Sequence, residues 1–132
     1  PFLNGWNATR RVNAATYSEA FAAAGLLDRV TLPAEPHRSS GLKNHHIFHQ
    51  YVIRVPNRDA VMAHLTEQKI GCAIYYPVPL HLQECFAYLG HKKGDFPVSE
   101  QAAKESLALP IFPGLTQEEI HDVVKGIASA LS

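Results

Sequence analysis

The segment Tyr75-Tyr76-Pro77-Val78-Pro79-Leu80-His81-Leu82-Gln83 places two phenols, an imidazole and a carboxamide on a turn that contains two prolines. Each proline fixes its own φ and pushes the preceding residue out of the helical region, so the turn is stiff. Stiffness lowers the entropy lost when such groups meet a ligand. Phenol, imidazole and carboxamide donate or accept hydrogen bonds without a fixed charge, which suits recognition of hydroxyls and phosphates. The alternative reading is a strand end whose tyrosines pack on a sheet.

Histidine is abundant, at eight of 132 residues, and His45, His46 and His49 cluster together. His45 and His49 share a face on either a helix or a strand, which is one way to begin a metal site. No Asp, Glu or Cys adjoins them to complete three or four ligands, so the cluster also reads as the start of a partly exposed strand, and no metal is expected. Cys72 and Cys85 lack the paired C-x-x-C spacing of a zinc site. Cys72 lies in an apolar run and reads as a small core residue rather than a reactive thiol. His81 with Glu84 or Asp95 suggests acid–base work, but no serine or cysteine sits in a nucleophile motif, so a self-contained hydrolase is not expected. No glycine-rich phosphate loop occurs.

A frame must hold these groups. Leu3, Trp6, Arg10, Ala14, Tyr17, Phe21 and Ala24 recur at steps of three and four, which predicts a helix across 1–25 stopped by Gly25. Residues 33–44, with Pro33, Pro36, Ser39, Ser40 and Gly41, read as a flexible surface loop. Ile47–Val55 is rich in β-branched and aromatic residues and predicts a strand ended by Pro56. Asn57 then caps a helix with Val61, Met62 and Leu65 as its apolar stripe and Gly71 as its stop. Cys72–Tyr76 predicts a second strand, Leu82–Tyr88 a short helix before Gly90, and Phe96–Ser106 a helix with Asp95 as N-cap and Pro97 in its first turn. Leu107–Leu109 predicts a third strand. Thr116-Gln117-Glu118-Glu119 is a capping box, followed at helical spacing by Ile120, Val123, Val124, Ile127, Ala128 and Leu131. The expected class is α+β, with a small, mostly antiparallel sheet of about three strands covered by helices.

The length of 132 residues suits a single domain, 1–132, with the α+β core in 45–132. Apolar residues make up 46% and charged residues 18%, a globular composition. Twelve Lys+Arg balance twelve Asp+Glu, so no basic field favours nucleic acid or an anionic membrane. No apolar run approaches the roughly 20 residues of a membrane span. A cytoplasmic setting is expected.

Several of these segments together resemble the DegT–StrS family of pyridoxal-phosphate sugar aminotransferases. They are Phe48-His49-Gln50-Tyr51-Val52-Ile53-Arg54-Val55, Arg58-Asp59, the Tyr75–Gln83 turn, Gly94-Asp95-Phe96-Pro97-Val98-Ser99-Glu100, Leu107-Ala108-Leu109-Pro110-Ile111-Phe112-Pro113 and Leu115-Thr116. They stand in family order, and Trp6–Arg11 through Tyr17 is similar to the family's long connecting helix. The resemblance is to the C-terminal part, the small domain of a fold-type-I enzyme. It implies a missing N-terminal large domain that carries the Schiff-base lysine, consistent with a chain that starts Pro1-Phe2-Leu3 without methionine. None of Lys43, Lys69, Lys92, Lys93, Lys104 and Lys125 sits in the family's lysine motif.

What the resemblance implies follows from that. The full enzyme moves an amino group, usually from glutamate, to a keto nucleotide sugar, using pyridoxal 5'-phosphate, as a homodimer. This chain alone is expected to bind no cofactor, carry no catalytic residue and be inactive. Tyr75, Tyr76, His81 and Gln83 line the sugar-nucleotide side, and His49 takes a structural or rim role. The family commonly has histidine where Tyr75 stands, so only hydrogen bonding by a phenol carries over there. Phe2, Trp6 and Phe21 are expected to form an apolar patch where the large domain sits. The competing expectation is a stand-alone α+β module that binds a small ligand at the Tyr75–Gln83 turn.

Overall fold

The computed structural model describes residues 2–132. In chain order these form α1 (Leu3–Ala23), β1 (Tyr51–Arg54), α2 (Arg58–Glu67), α3 (Pro97–Glu105), β2 (Ser106–Leu109) and α4 (Gln117–Ala130). Short 3-10 turns lie at Arg38–Ser40, Leu80–Leu82 and Glu84–Leu89. Strands β1 and β2 pair antiparallel, with Tyr51 opposite Leu109 and Ile53 opposite Leu107. A two-stranded ribbon is marginal alone in water, so its faces must be covered. Helices α1 and α2 pack on α4, and α2 also meets β2. The shared core takes Tyr17 and Phe21 from α1, Ile53 from β1, Leu65 from α2, Leu107 from β2 and Ile127 from α4.

Local signals explain the helix ends. Thr116 and Glu119 form the reciprocal capping box that starts α4. At the end of α1, Gly25 adopts φ +67°, its N–H donates to the Ala22 carbonyl, and the Leu26 N–H donates to the Phe21 carbonyl. That is the paired-bond stop a glycine permits. The end of α2 has the same bonds, Lys69 to Thr66 and Ile70 to Leu65, but Lys69 holds the left-handed position at φ 61°. The stop of α2 therefore falls at Lys69, two residues before the expected Gly71, because the turn closes through backbone bonds that any residue can make at some steric cost. Gly126 has a different reason. A Cβ there would stand 2.8 Å from both Leu65 Cδ2 and Gln68 Oε1, so its bareness sets how closely α2 and α4 approach.

The α+β class and the antiparallel sense match expectation, as does the capped last helix. Several details differ, and of the strand expected across Ile47–Val55 only Tyr51–Arg54 forms one. The expected strand Cys72–Tyr76 contributes one bridge, Ala73 with Ala108, rather than a full strand. The prolines that follow leave too few residues to continue a ladder. The short helix expected at Leu82–Tyr88 is two 3-10 turns. Asn57 precedes α2 at φ 51° but its side chain makes no cap bond, and Phe96 rather than Asp95 is the cap position of α3. Of the expected α1 stripe only Ala14, Tyr17 and Phe21 are buried, while Arg10 is half-buried and Ala24 is exposed. Leu3 and Trp6 are exposed, and Phe2 stacks on Trp6 at 6.0 Å. Helix α1 has 21 residues, about 31 Å at 1.5 Å per residue, so it outruns the core it packs on. Phe21 is fully buried, so the expected patch is reduced to Phe2 and Trp6 with Leu3.

Two substitutions separate these causes. Ile53→Ala empties a fully buried site and should cost about 3 kcal/mol in urea unfolding. Lys69→Gly relieves the left-handed backbone and should gain about 1 kcal/mol. A destabilised Lys69→Gly chain would show that the Lys69 side chain, not the backbone, holds that turn.

Candidate functional site

The Tyr75–Gln83 turn lies beyond the bridge at Ala73 and rests on α3. Three pins hold it. Prolines 77 and 79 stiffen the chain. Gln83 Nε2 donates to the Val78 carbonyl at 3.2 Å, closing the turn on itself. His81 Nε2 stands 3.0 Å from Glu100 Oε1 on α3, and both side chains are nearly buried, 7% and 11% exposed. Glu100 Oε1 also accepts the Gly94 N–H at 2.7 Å. The Gly94 N–H first, and then the His81 and Phe96 contacts, hold the Glu100 carboxyl below its usual range.

This geometry corrects one expectation. The carboxylate that meets His81 is Glu100, not Glu84 or Asp95. Asp95 instead accepts the Lys92 N–H at 2.9 Å and lies 3.7 Å from His91. A separation of 19 residues hid the His81–Glu100 pair from any spacing rule, since the contact exists only once α3 packs beneath the turn.

The site residues divide into two groups. Tyr75, Tyr76 and Gln83 line one cavity of about 200 Å³ with Val78, Ser99 and Ser106. His81 is not on its wall and faces Phe96, with ring centroids 4.8 Å apart. Tyr75 and Tyr76 are both exposed, so their phenols are free to meet a ligand. Ligand pockets run to roughly 300–1,000 Å³. A cavity of this size holds one ring-sized group and leaves the rest of a larger ligand outside it.

Tyr75 is a shared wall. On its other side a more open cavity of about 390 Å³ is bordered by His49, Gln50, Cys72, Ala73 and Ile111. Gln50 lies in the Phe48–Val55 segment that carries the resemblance, but it has no sequence signal for a role of its own. Burial pushes the Cys72 thiol pKa up, which leaves it a poor nucleophile. A cavity of about 630 Å³ lies elsewhere, between the end of α2 and α4 beside Phe112, Asp122 and Lys125. Its polar lining, including Gln68, Lys69 and Glu119, contains none of Tyr75, Tyr76, His81 and Gln83.

His45 and His49 do not combine. His45 Nε2 meets Glu35 Oε2 at 2.8 Å and its Nδ1 meets the Leu42 carbonyl at 3.0 Å, so both ring nitrogens are engaged in closing the loop. Among the described residues no three His, Cys, Asp or Glu side chains stand together as metal ligands. No helix among them is long and apolar enough to cross a membrane.

Comparison with known proteins places this geometry in a context. The pattern of the DegT/DnrJ/EryC1/StrS aminotransferase family matches residues 2–128. The "Pleiotropic regulatory protein" of Geobacillus stearothermophilus is 47% identical over 97% of this chain and 33% of its own length. The UDP-N-acetyl-3-dehydro-alpha-D-glucosamine 3-aminotransferase of Acidithiobacillus ferrooxidans is 37% identical over 99% of this chain and 32% of its own. The crystal structure of S. venezuelae DesV in complex with a ketimine intermediate superposes with a TM-score of 0.83 at 28% identity, covering 97% of this chain and 32% of that one. This chain thus spans about a third of the length of the curated relatives it matches.

The depressed Glu100 carboxyl has a definite sign. Its ionised form is favoured by folding, so its contribution is present above the ordinary carboxylate value, about 4.3, and is lost as pH falls through the lower folded value. The Gly94 amide shift, followed by NMR, should titrate with a midpoint below about 4.3. A midpoint at or above that value contradicts the bond.

Proposed function

The chain belongs to the DegT/DnrJ/EryC1/StrS aminotransferase family, and on that premise we propose that it is the C-terminal, sugar-contacting part of a nucleotide-sugar aminotransferase. The observation that carries the reading is the pinned turn, which presents the exposed phenols of Tyr75 and Tyr76 at a cavity of ring size. The phenols bind by hydrogen bonds to hydroxyl or phosphate oxygen. The chain's balanced charge adds no long-range attraction. Gln83 holds the turn shut, and His81, anchored by Glu100, holds it against α3. Helix α1 serves as the connecting helix.

Pyridoxal phosphate, when bound, supplies the electron sink for amino transfer. The lysines of this chain do not fit it. All six, Lys43, Lys69, Lys92, Lys93, Lys104 and Lys125, are exposed. A Schiff-base amine needs a desolvated setting that lowers its affinity for a proton. We therefore assign the cofactor to sequence that the relatives have and this chain does not span, and no step through it to these residues. The same proposal takes glutamate as amino donor, a keto nucleotide sugar as acceptor, a homodimer as the working unit and the cytoplasm as its place, in polysaccharide or antibiotic sugar synthesis.

Two measurements test it. In the full-length gene product, Tyr75→Phe and Tyr76→Phe should each raise KM for the nucleotide sugar roughly five- to tenfold, the cost of one hydrogen bond, and leave KM for glutamate unchanged. Equal shifts in both constants contradict a sugar-side role. Borohydride treatment of this chain alone with pyridoxal phosphate should give no stoichiometric adduct at a single lysine, and such an adduct overturns the assignment of the cofactor.

A further inference from the structure

We propose that Glu100 is a positioning residue that acts through His81, holding the ring so that its Nδ1 lone pair accepts a hydrogen bond from a sugar hydroxyl. The inference rests on the reading of the Tyr75–Gln83 turn as a sugar contact.

The argument is one of donors and acceptors. An ionised carboxylate only accepts. Glu100 Oε1 takes the Gly94 N–H at 2.7 Å and stands 3.0 Å from His81 Nε2. Nε2 is therefore the donor in that bond. A neutral imidazole has one N–H, so a ring that donates from Nε2 carries a lone pair at Nδ1. Among the described residues Nδ1 has no hydrogen-bond partner, and it is not buried without one. The ring cannot turn freely. Phe96 lies against it with centroids 4.8 Å apart, and His91 lies on Phe96 in turn, at 4.9 Å. The His81 side chain is 7% exposed and the Glu100 side chain 11%, so water competes little for the bond.

The chemistry of the ligand group follows. A bare Nδ1 accepts, so it suits a hydroxyl hydrogen and repels a phosphate or carbonyl oxygen. The two tyrosines, which both donate and accept, remain able to take either. Because His81 lies off the wall of the cavity that the phenols share, its Nδ1 meets a hydroxyl on the part of the ligand that this cavity does not enclose, and does not favour the diphosphate.

The test has a ground-state arm and a kinetic arm. In the long-range proton–nitrogen NMR spectrum of this chain, recorded at a pH where the ring is neutral, His81 should show a protonated Nε2 and a bare Nδ1. A proton on Nδ1 overturns the proposal, whatever any variant does. In the full-length gene product, Glu100→Ala should raise KM for the nucleotide sugar roughly five- to tenfold, with KM for glutamate unchanged. In a His81→Ala background the same change should add nothing, because Glu100 acts only through the ring. Glu100→Gln keeps an acceptor oxygen and should recover most of the loss. Additive effects, or equal shifts for both substrates, mean that Glu100 only supports the fold and overturn the proposal. If His81→Ala raises the sugar KM and Glu100→Ala does not, the proposal fails and the sugar reading of the turn stands. If neither variant moves the sugar KM although Nε2 is protonated, the sugar reading fails at His81 and takes the proposal with it.

Discussion

Tyr17 is the contact on which the rest of the molecule depends. Its ring stacks on Tyr51 at 4.7 Å, joining α1 to β1, and its hydroxyl donates to the Pro110 carbonyl at 2.9 Å, immediately beyond β2. One side chain thus ties a helix to both strands of a ribbon that could not stand alone. Burial pushes the Tyr17 phenol pKa far up, and the neighbouring Tyr51 adds to this. The hydroxyl therefore stays a donor across any ordinary pH. Around this contact the apolar faces of α2 and α4 close, with Gly126 allowing the two helices to approach.

The turn that carries the candidate site is built on a different principle. From Tyr75 to Val98 no large side chain is fully buried, while Tyr76, Leu80, Tyr88, Leu89 and Val98 are all exposed. The segment keeps its shape through prolines and polar pins, Gln83 to Val78, His81 to Glu100 and Lys92 to Asp95. Proline stiffness and hydrogen bonds order a chain without consuming its apolar side chains in a core. That leaves phenols and aliphatic groups free for contact with something else. The proposed function makes the same demand, since a cavity of about 200 Å³ can enclose only part of a nucleotide sugar.

Much of the frame was legible from sequence because its causes are local. The capping box at Thr116 needs only residues three apart, and the α4 stripe needs only a 3.6-residue period. The stop at Gly25 and the Pro97 start of α3 are of the same kind, whereas the strand expected across Ile47–Val55 forms only at Tyr51–Arg54. Local cues misled where a neighbour decided the outcome. Cys72–Tyr76 has strand composition, yet only Ala73 finds a partner. Leu3 and Trp6 continue an apolar stripe, yet the core ends before it reaches them.

The amino-acid sequence by itself determined the α+β class, the Gly25 stop of α1, the capped start of α4, the stiffness of the Tyr75–Gln83 turn and, through the order of its motifs, the family. Tertiary structure alone decided which polar groups meet. Glu35 closes on His45 across ten residues, Glu100 on His81 across 19, and Arg54 on Glu105 across 51. It also separated His81 from the cavity that Tyr75, Tyr76 and Gln83 share. The division has a physical reason. Helix caps, turns and periodicity arise from backbone bonds within a few residues. A pairing of distant side chains arises from where two packed surfaces bring them together, and nothing in the spacing of those residues records it.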